Sequence, residues 1–172
     1  RDRLRRGVFM VVAAATTTGF QNVTNNQLTT VFSSGAFLII AMCMAIGGSS
    51  GSTAGGIKLS RIGLIAKSMV STIKETLSPS TARVSVRYYH LGRKVLTTDA
   101  AKSAMTVSAL FVVTYLIGSL AGIAHGYDAI SSIFESVAMA SNGGLSSGIV
   151  SRGMPPTLEA VYILEMWAGR LE

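Results

Sequence analysis

The sequence predicts an all-α integral membrane fold in which helices are interrupted by glycine-rich loops. Three observations carry that prediction. Only 13% of the 172 residues are charged, where soluble domains carry about a quarter. Mean hydropathy is +0.48. No Asp, Glu, Lys or Arg occurs from Gly7 to Ile57 or from Ser103 to Tyr127, and a soluble helix or strand needs a wet face that such stretches do not provide.

The formal net charge is +7, which raises nucleic acid as a partner. The segment from Lys58 to Lys102 holds nine Lys or Arg against Glu75 and Asp99, so it accounts for the whole excess. A basic loop between two apolar blocks follows the positive-inside rule and places that loop in the cytoplasm, with no nucleic acid implied.

Along the chain, Gly7 to Ala15 reads as a short apolar helix ending in the polar turn Thr16-Thr17-Thr18-Gly19-Phe20. A signal peptide, Arg1 to Arg6 followed by Val8 to Ala15, is the competing reading. The recurrence of this pattern later in the chain speaks against it. Val31 to Ile46 is apolar, but about 24 Å long as a helix it falls short of a hydrocarbon core of about 30 Å. The run Gly47 to Gly56 then interrupts, and helical character resumes from Ile57 to Ile73. The economical reading is one helix broken at membrane depth, which survives only where protein or a water-filled cavity satisfies its backbone.

Ser103 to Ala124 is the cleanest spanning segment, 22 uncharged residues. Tyr127 to Ala140 is too short to span, and Asp128 suits its N-cap. The turn Ser141-Asn142-Gly143-Gly144-Leu145 follows. Each short helix, turn and following polar stretch reads as a re-entrant hairpin. The two hairpins align without gaps at an offset of 125: Phe9 on Phe134, Val12 on Val137, Ala13 and Ala15 on Ala138 and Ala140, Gly19 on Gly144. This reads as an internal duplication.

A half-helix directs its carbonyl end, the negative end of its dipole, into the membrane, which favours a cation. A following turn of Thr, Ser, Asn and Gly can aim backbone carbonyls at a dehydrated ion. One such turn is an ordinary glycine connection; two in the same context point to an ion pathway. The run Gly51-x4-Gly56 invites a phosphate-loop reading, but that motif needs Lys directly after the second glycine, and Ile57 intervenes. Cys43 reads as a small apolar filler, and His90 and His125 have no ligand partner at helical spacing. No nucleophile–base pair or metal cluster appears, so the chain is not expected to be an enzyme or to carry a cofactor.

Taken together, Thr16 to Phe20, the run GGSSGSTAGGIK from Gly47 to Lys58, Ser141 to Leu145 and Met166-Trp167-Ala168-Gly169-Arg170-Leu171-Glu172 resemble the Trk/Ktr/HKT family of potassium-uptake proteins, most of all its prokaryotic Trk membrane subunit. The resemblance implies a partial pseudo-fourfold channel fold, from the third pore helix to the fourth inner helix. Residues 1–78 would be the third-repeat pore helix, filter and broken inner helix with its gating loop. Residues 79–102 would be a cytoplasmic basic linker, and 103–172 the fourth-repeat outer helix, pore helix, filter and part of the inner helix. The chain opens with Arg and ends inside an apolar helix, so a longer protein is expected.

By resemblance, Thr17, Thr18 and Gly19 line the third quarter of a selectivity filter and Asn142, Gly143 and Gly144 the fourth. Glycine at the central filter position goes with K⁺ in the family, so K⁺ is the expected transported ion. Gly47, Gly48, Ser49, Ser50, Gly51, Ser52, Thr53, Gly55, Gly56 and Lys58 would form the gating loop. Arg170 would face the cavity as an electrostatic barrier and bond the loop's carbonyls; the alternative is that it snorkels to the cytoplasmic interface. Glu135 is expected as a hydrogen-bond acceptor behind the filter, and Glu159 and Glu165 are expected to meet water. Arg1 to Arg6 would lie outside, against the positive-inside tendency, which is weak for a helix that does not fully cross.

The implied partners are the lipid bilayer, the missing N-terminal repeats or a second copy in a homodimer, and a soluble nucleotide-binding regulatory ring. The implied location is the inner membrane of a prokaryote. Two rivals remain at this point: a secondary transporter with a midplane solute site, and a non-conducting membrane scaffold.

Overall fold

The computed structural model describes residues 2–24, 33–49, 51–78, 87–89, 93–95 and 97–170. Expectations resting on Arg1, Val31, Ser50, His90, Leu171, Glu172 and linker residues 79–86 lie outside the described set.

Helix α1, Asp2–Ala15, begins before the expected Gly7. Arg and Leu are good helix formers, and nothing between Asp2 and Gly7 stops the helix. Met10, Ala13 and Ala14 are buried, the i, i+3, i+4 set of one face. Helix α2, Ser34–Ala45, is capped by Ser33, whose hydroxyl accepts from the Ala36 amide at 3.4 Å. Phe37, Ile40, Ala41 and Met44 form its buried stripe.

At Ile46 the backbone becomes extended. Strands β1, Ile46–Gly47, and β2, Ile57–Lys58, pair in parallel, Ile46 with Ile57 and Gly47 with Lys58. Helix α3, Leu59–Leu77, follows directly, so helical structure resumes two residues later than the expected Ile57. The bridge claims those two residues: Ile57 and Lys58 pair before they can join the helix.

In the basic segment, β3, Arg87–Tyr89, pairs antiparallel with β4, Arg93–Val95. The expectation of an all-α chain is corrected to a mostly helical one, with two small two-stranded sheets among the described residues. Pattern reading missed them because two- and three-residue strands are too short for an alternation signal.

Helix α4, Thr98–Ala124, has 27 residues. It starts before Ser103 because Thr97 caps it, accepting from the Ala100 amide at 3.4 Å, with Asp99 in the first turn. Among the described residues it is the one helix long and apolar enough to cross a membrane. Leu110, Val112, Val113, Leu116, Ile117 and Leu120 are all exposed on it, as expected of a surface that meets lipid.

Helix α5, Ala129–Ala140, is capped by Asp128 as its sequence predicts: Oδ2 accepts from the Ile130 and Ser131 amides at 3.1 and 3.2 Å. Every residue from Phe134 to Ala138 is buried, which makes α5 the central element. Helix α6, Pro156–Arg170, opens with proline at its first position, where the missing N–H costs nothing. His125, at the end of α4, donates from Nδ1 to the Ala121 carbonyl and accepts at Nε2 from the Thr157 hydroxyl, which ties α4 to the start of α6.

The main core joins α1, α2 and α5 through Met10, Ala14, Phe37, Ile40, Met44, Phe134, Val137 and Leu145. Phe37 and Phe134 stack with centroids 4.3 Å apart. A smaller cluster of Ile149, Leu158 and Tyr162 seats α6.

Candidate functional site

The two polar turns that end α1 and α5 match bond for bond. Thr16, Thr17 and Thr18 donate to the carbonyls of Val12, Ala14 and Ala13 at 3.0, 3.1 and 3.1 Å. Ser141, Asn142 and Gly143 donate to Val137, Met139 and Ala138 at 2.9, 3.0 and 2.8 Å. Both sets are the paired terminal bonds of a Schellman motif. The left-handed position of that motif usually holds glycine. Here it holds Thr17 at φ 47° and Asn142 at φ 52°. Asn tolerates that region; a β-branched Thr there is strained, and strain of this kind concentrates at functional sites.

Two residues on, Gly19 and Gly144 also take positive φ, 80° and 72°. They meet each other: a Cβ on Gly144 would lie 2.8 Å from the Gly19 Cα, and one on Gly19 would lie 3.3 Å from the Gly144 Cα. The structure thus brings equivalent positions of the two hairpins into backbone contact. Beside them Gln21 and Ser146, again equivalent at the offset of 125, exchange bonds. Gln21 Nε2 donates to the Ser146 carbonyl at 3.4 Å and the Ser146 amide donates to Gln21 Oε1 at 3.3 Å. Sequence reading passed over Gln21, although the offset alignment itself pairs it with Ser146.

Glu135 is fully buried and accepts from Ser146 Oγ at 2.8 Å, the Ser147 amide at 2.7 Å and Ser147 Oγ at 2.6 Å. It stands behind the second turn, where its expected role as an acceptor placed it. Asn142 also reaches α6, donating from Nδ2 to the Met166 carbonyl at 3.3 Å.

The loop between α2 and α3 lies against both turns. The Gly55 amide donates to Thr17 Oγ1 at 3.2 Å, and Gly55 packs so closely on the Ser141 carbonyl that no side chain fits. Within the loop, Lys58 Nζ donates to the carbonyls of Ser52 at 2.9 Å and Ala54 at 2.5 Å. The Leu59 amide closes onto Gly48 O at 3.1 Å. Lys58 therefore makes the bonds to loop carbonyls that Arg170 was expected to make; Arg170 is exposed at the end of α6. The Lys58 ammonium is turned inward on its own loop, which also leaves the phosphate-loop reading without its lysine.

Glu165 corrects a second expectation. It does not meet water but is 3% exposed, with Oε1 accepting from Ser136 Oγ at 2.9 Å. Its carboxylate packs on Gly118 of α4, the lack of a side chain there making the room. Glu159 is exposed, as expected.

The family model "TrkH: Cation transport protein" matches residues 1–172. The chain belongs to the TrkH cation transport family. That family is one of transport proteins, not of enzymes. An uncharacterized cation transporter of Methanocaldococcus jannaschii is 36% identical over 165 residues, 96% of this chain and 33% of the relative. The Trk system potassium uptake protein TrkH of Salmonella typhimurium is 31% identical over 98% of this chain and 34% of its own length. The fold matches the crystal structure of the potassium transporter TrkH from Vibrio parahaemolyticus with a TM-score of 0.78 at 22% identity, covering 99% of this chain and 35% of that one. The chain spans about a third of the length of these relatives.

Proposed function

We propose that this chain forms the third and fourth repeats of a K⁺-conducting TrkH-type channel in the inner membrane of a prokaryote. The observation that carries the reading is the pair of matched, strained turns meeting at Gly19 and Gly144. Two helix ends with their carbonyl dipoles converging on one place suit a dehydrated monovalent cation.

On this reading α1 and α5 are re-entrant pore helices, roughly 21 and 18 Å long at 1.5 Å per residue and too short to cross. Thr17, Thr18, Gly19, Asn142, Gly143 and Gly144 line half of the filter. Helices α2 and α3 are one broken inner helix, and the loop from Gly47 to Lys58 is its gate, Ser50 included. Arg170 is a cationic barrier in the cavity. The assignment of 1–78, 79–102 and 103–172 to third repeat, cytoplasmic linker and fourth repeat goes with it. So do the partners: further repeats of a longer chain, a second copy, and a nucleotide-binding regulatory ring on the cytoplasmic side.

The test is Gly19→Ser in the full-length protein, read by bilayer recording. A side chain here strains a positive-φ position and presses on Gly144, so the K⁺ to Na⁺ permeability ratio should fall. An unchanged ratio removes Gly19 from the filter. Saturable solute uptake without conductance would instead favour a transporter with a midplane solute site.

A further inference from the structure

The two turns match in backbone but not in what stands behind them. At the offset of 125, Glu135 of α5 corresponds to Met10 of α1, and both side chains are fully buried. The second turn is held by its own pore helix through the Glu135 carboxylate; at the equivalent place the first has a thioether, which takes no strong hydrogen bond. The first turn is instead tied sideways, by the exchange between Gln21 and the Ser146 backbone. Ser146 is the hub: its backbone holds Gln21, and its hydroxyl bonds Glu135 at 2.8 Å.

We propose that Glu135, Ser146 and Gln21 form an asymmetric brace that sets the spacing of the two filter turns and so determines cation selectivity. Glu135 and Gln21 are positioning residues, acting through Ser146 and Ser147 rather than on the ion. This rests on the conduction proposed above. The geometry casts Glu135 as an acceptor. The Ser147 amide can only donate, and it points at Glu135 Oε2 at 2.7 Å, with both serine hydroxyls also within bonding distance. Two carboxylate oxygens offer enough lone pairs for three donors; an amide side chain does not present them in the same arrangement. Replacing the second oxygen by an amide nitrogen puts a donor where an acceptor stood, so at least one of these bonds is lost and the turn loosens. In an ion pathway the consequence is geometric: carbonyls spaced for a dehydrated K⁺ relax, and discrimination against Na⁺ falls.

The experiment uses the full-length transporter, reconstituted, with K⁺ and Na⁺ permeabilities taken from reversal potentials. Glu135→Gln should lower the K⁺ to Na⁺ ratio about tenfold, the scale of one buried hydrogen bond. Gln21→Leu should lower it less. The double variant should lower it by less than the product of the two, because both act through Ser146. Ser146→Ala keeps the backbone bonds to Gln21 and removes the hydroxyl, with its link to Glu135 and its bond from the Gly148 amide, so it carries the test if Glu135→Gln does not fold. A reduced current at an unchanged ratio in both Gln21→Leu and Ser146→Ala overturns the brace and leaves a purely structural contact. A parent protein that conducts neither ion overturns the conduction reading itself, and the brace with it.

Discussion

Two buried carboxylates lie on neighbouring helices in this chain, and their surroundings divide them. Glu135 has three donors within hydrogen-bonding distance, the compensation that a polar group removed from water requires. Glu165 accepts from the Ser136 hydroxyl, and its room is made by the missing side chain of Gly118. Adding a methyl at Gly118 drives it into the Glu165 carboxylate, and overpacking of this kind costs about 1–3 kcal/mol. Gly118→Ala should therefore lower the thermal midpoint of the purified protein by several degrees. Pairing it with Glu165→Ser should recover most of the loss, because the two residues share one contact. An equal loss in both backgrounds would place the damage elsewhere on α4.

At the scale of elements, the loop from Gly47 to Lys58 is a folded unit rather than a slack connection. A parallel bridge closes it, and Lys58 returns to bind its carbonyls at Ser52 and Ala54. Lys58→Met keeps the bulk of the stem and removes both charge-assisted bonds. If the loop is the gate, that variant raises basal K⁺ flux severalfold in the full-length protein while leaving the K⁺ to Na⁺ ratio unchanged. Parental flux at matched membrane abundance would make the loop a structural break only. Much of this element was legible in the sequence, since ten small residues between two apolar runs cannot continue a helix. Its anchor was not. A lysine beside a membrane reads as a cytoplasmic charge, and only the folded loop reveals that its ammonium turns back. The strained positions were hidden for a related reason. Turn rules look for glycine at the left-handed position of a helix end, and here that position holds Thr17 and Asn142. Gly19 and Gly144 were found because the offset alignment put one on the other, and the same alignment held Gln21 and Ser146, which composition gave no cause to notice.

For the whole molecule, the two hairpins supply two of the turns around a proposed fourfold pathway. A chain of this length should conduct only when copies pair to supply four, since closed rings are the usual solution for repeated units. Robust K⁺ flux from a demonstrated monomer of residues 1–172 would sink that expectation. The stack of Phe37 on Phe134 carries a different consequence, for biogenesis. The core draws Met10, Phe37 and Met44 from the early part of the chain and Phe134, Val137 and Leu145 from the late part. During synthesis the first half emerges with its buried face uncovered. At ordinary ribosome speeds the residues that cover it arrive on the order of ten seconds later. In that interval the insertion machinery, or lipid, must shield the Phe37 face, so the nascent chain depends on its hosts longest just before its second hairpin is made.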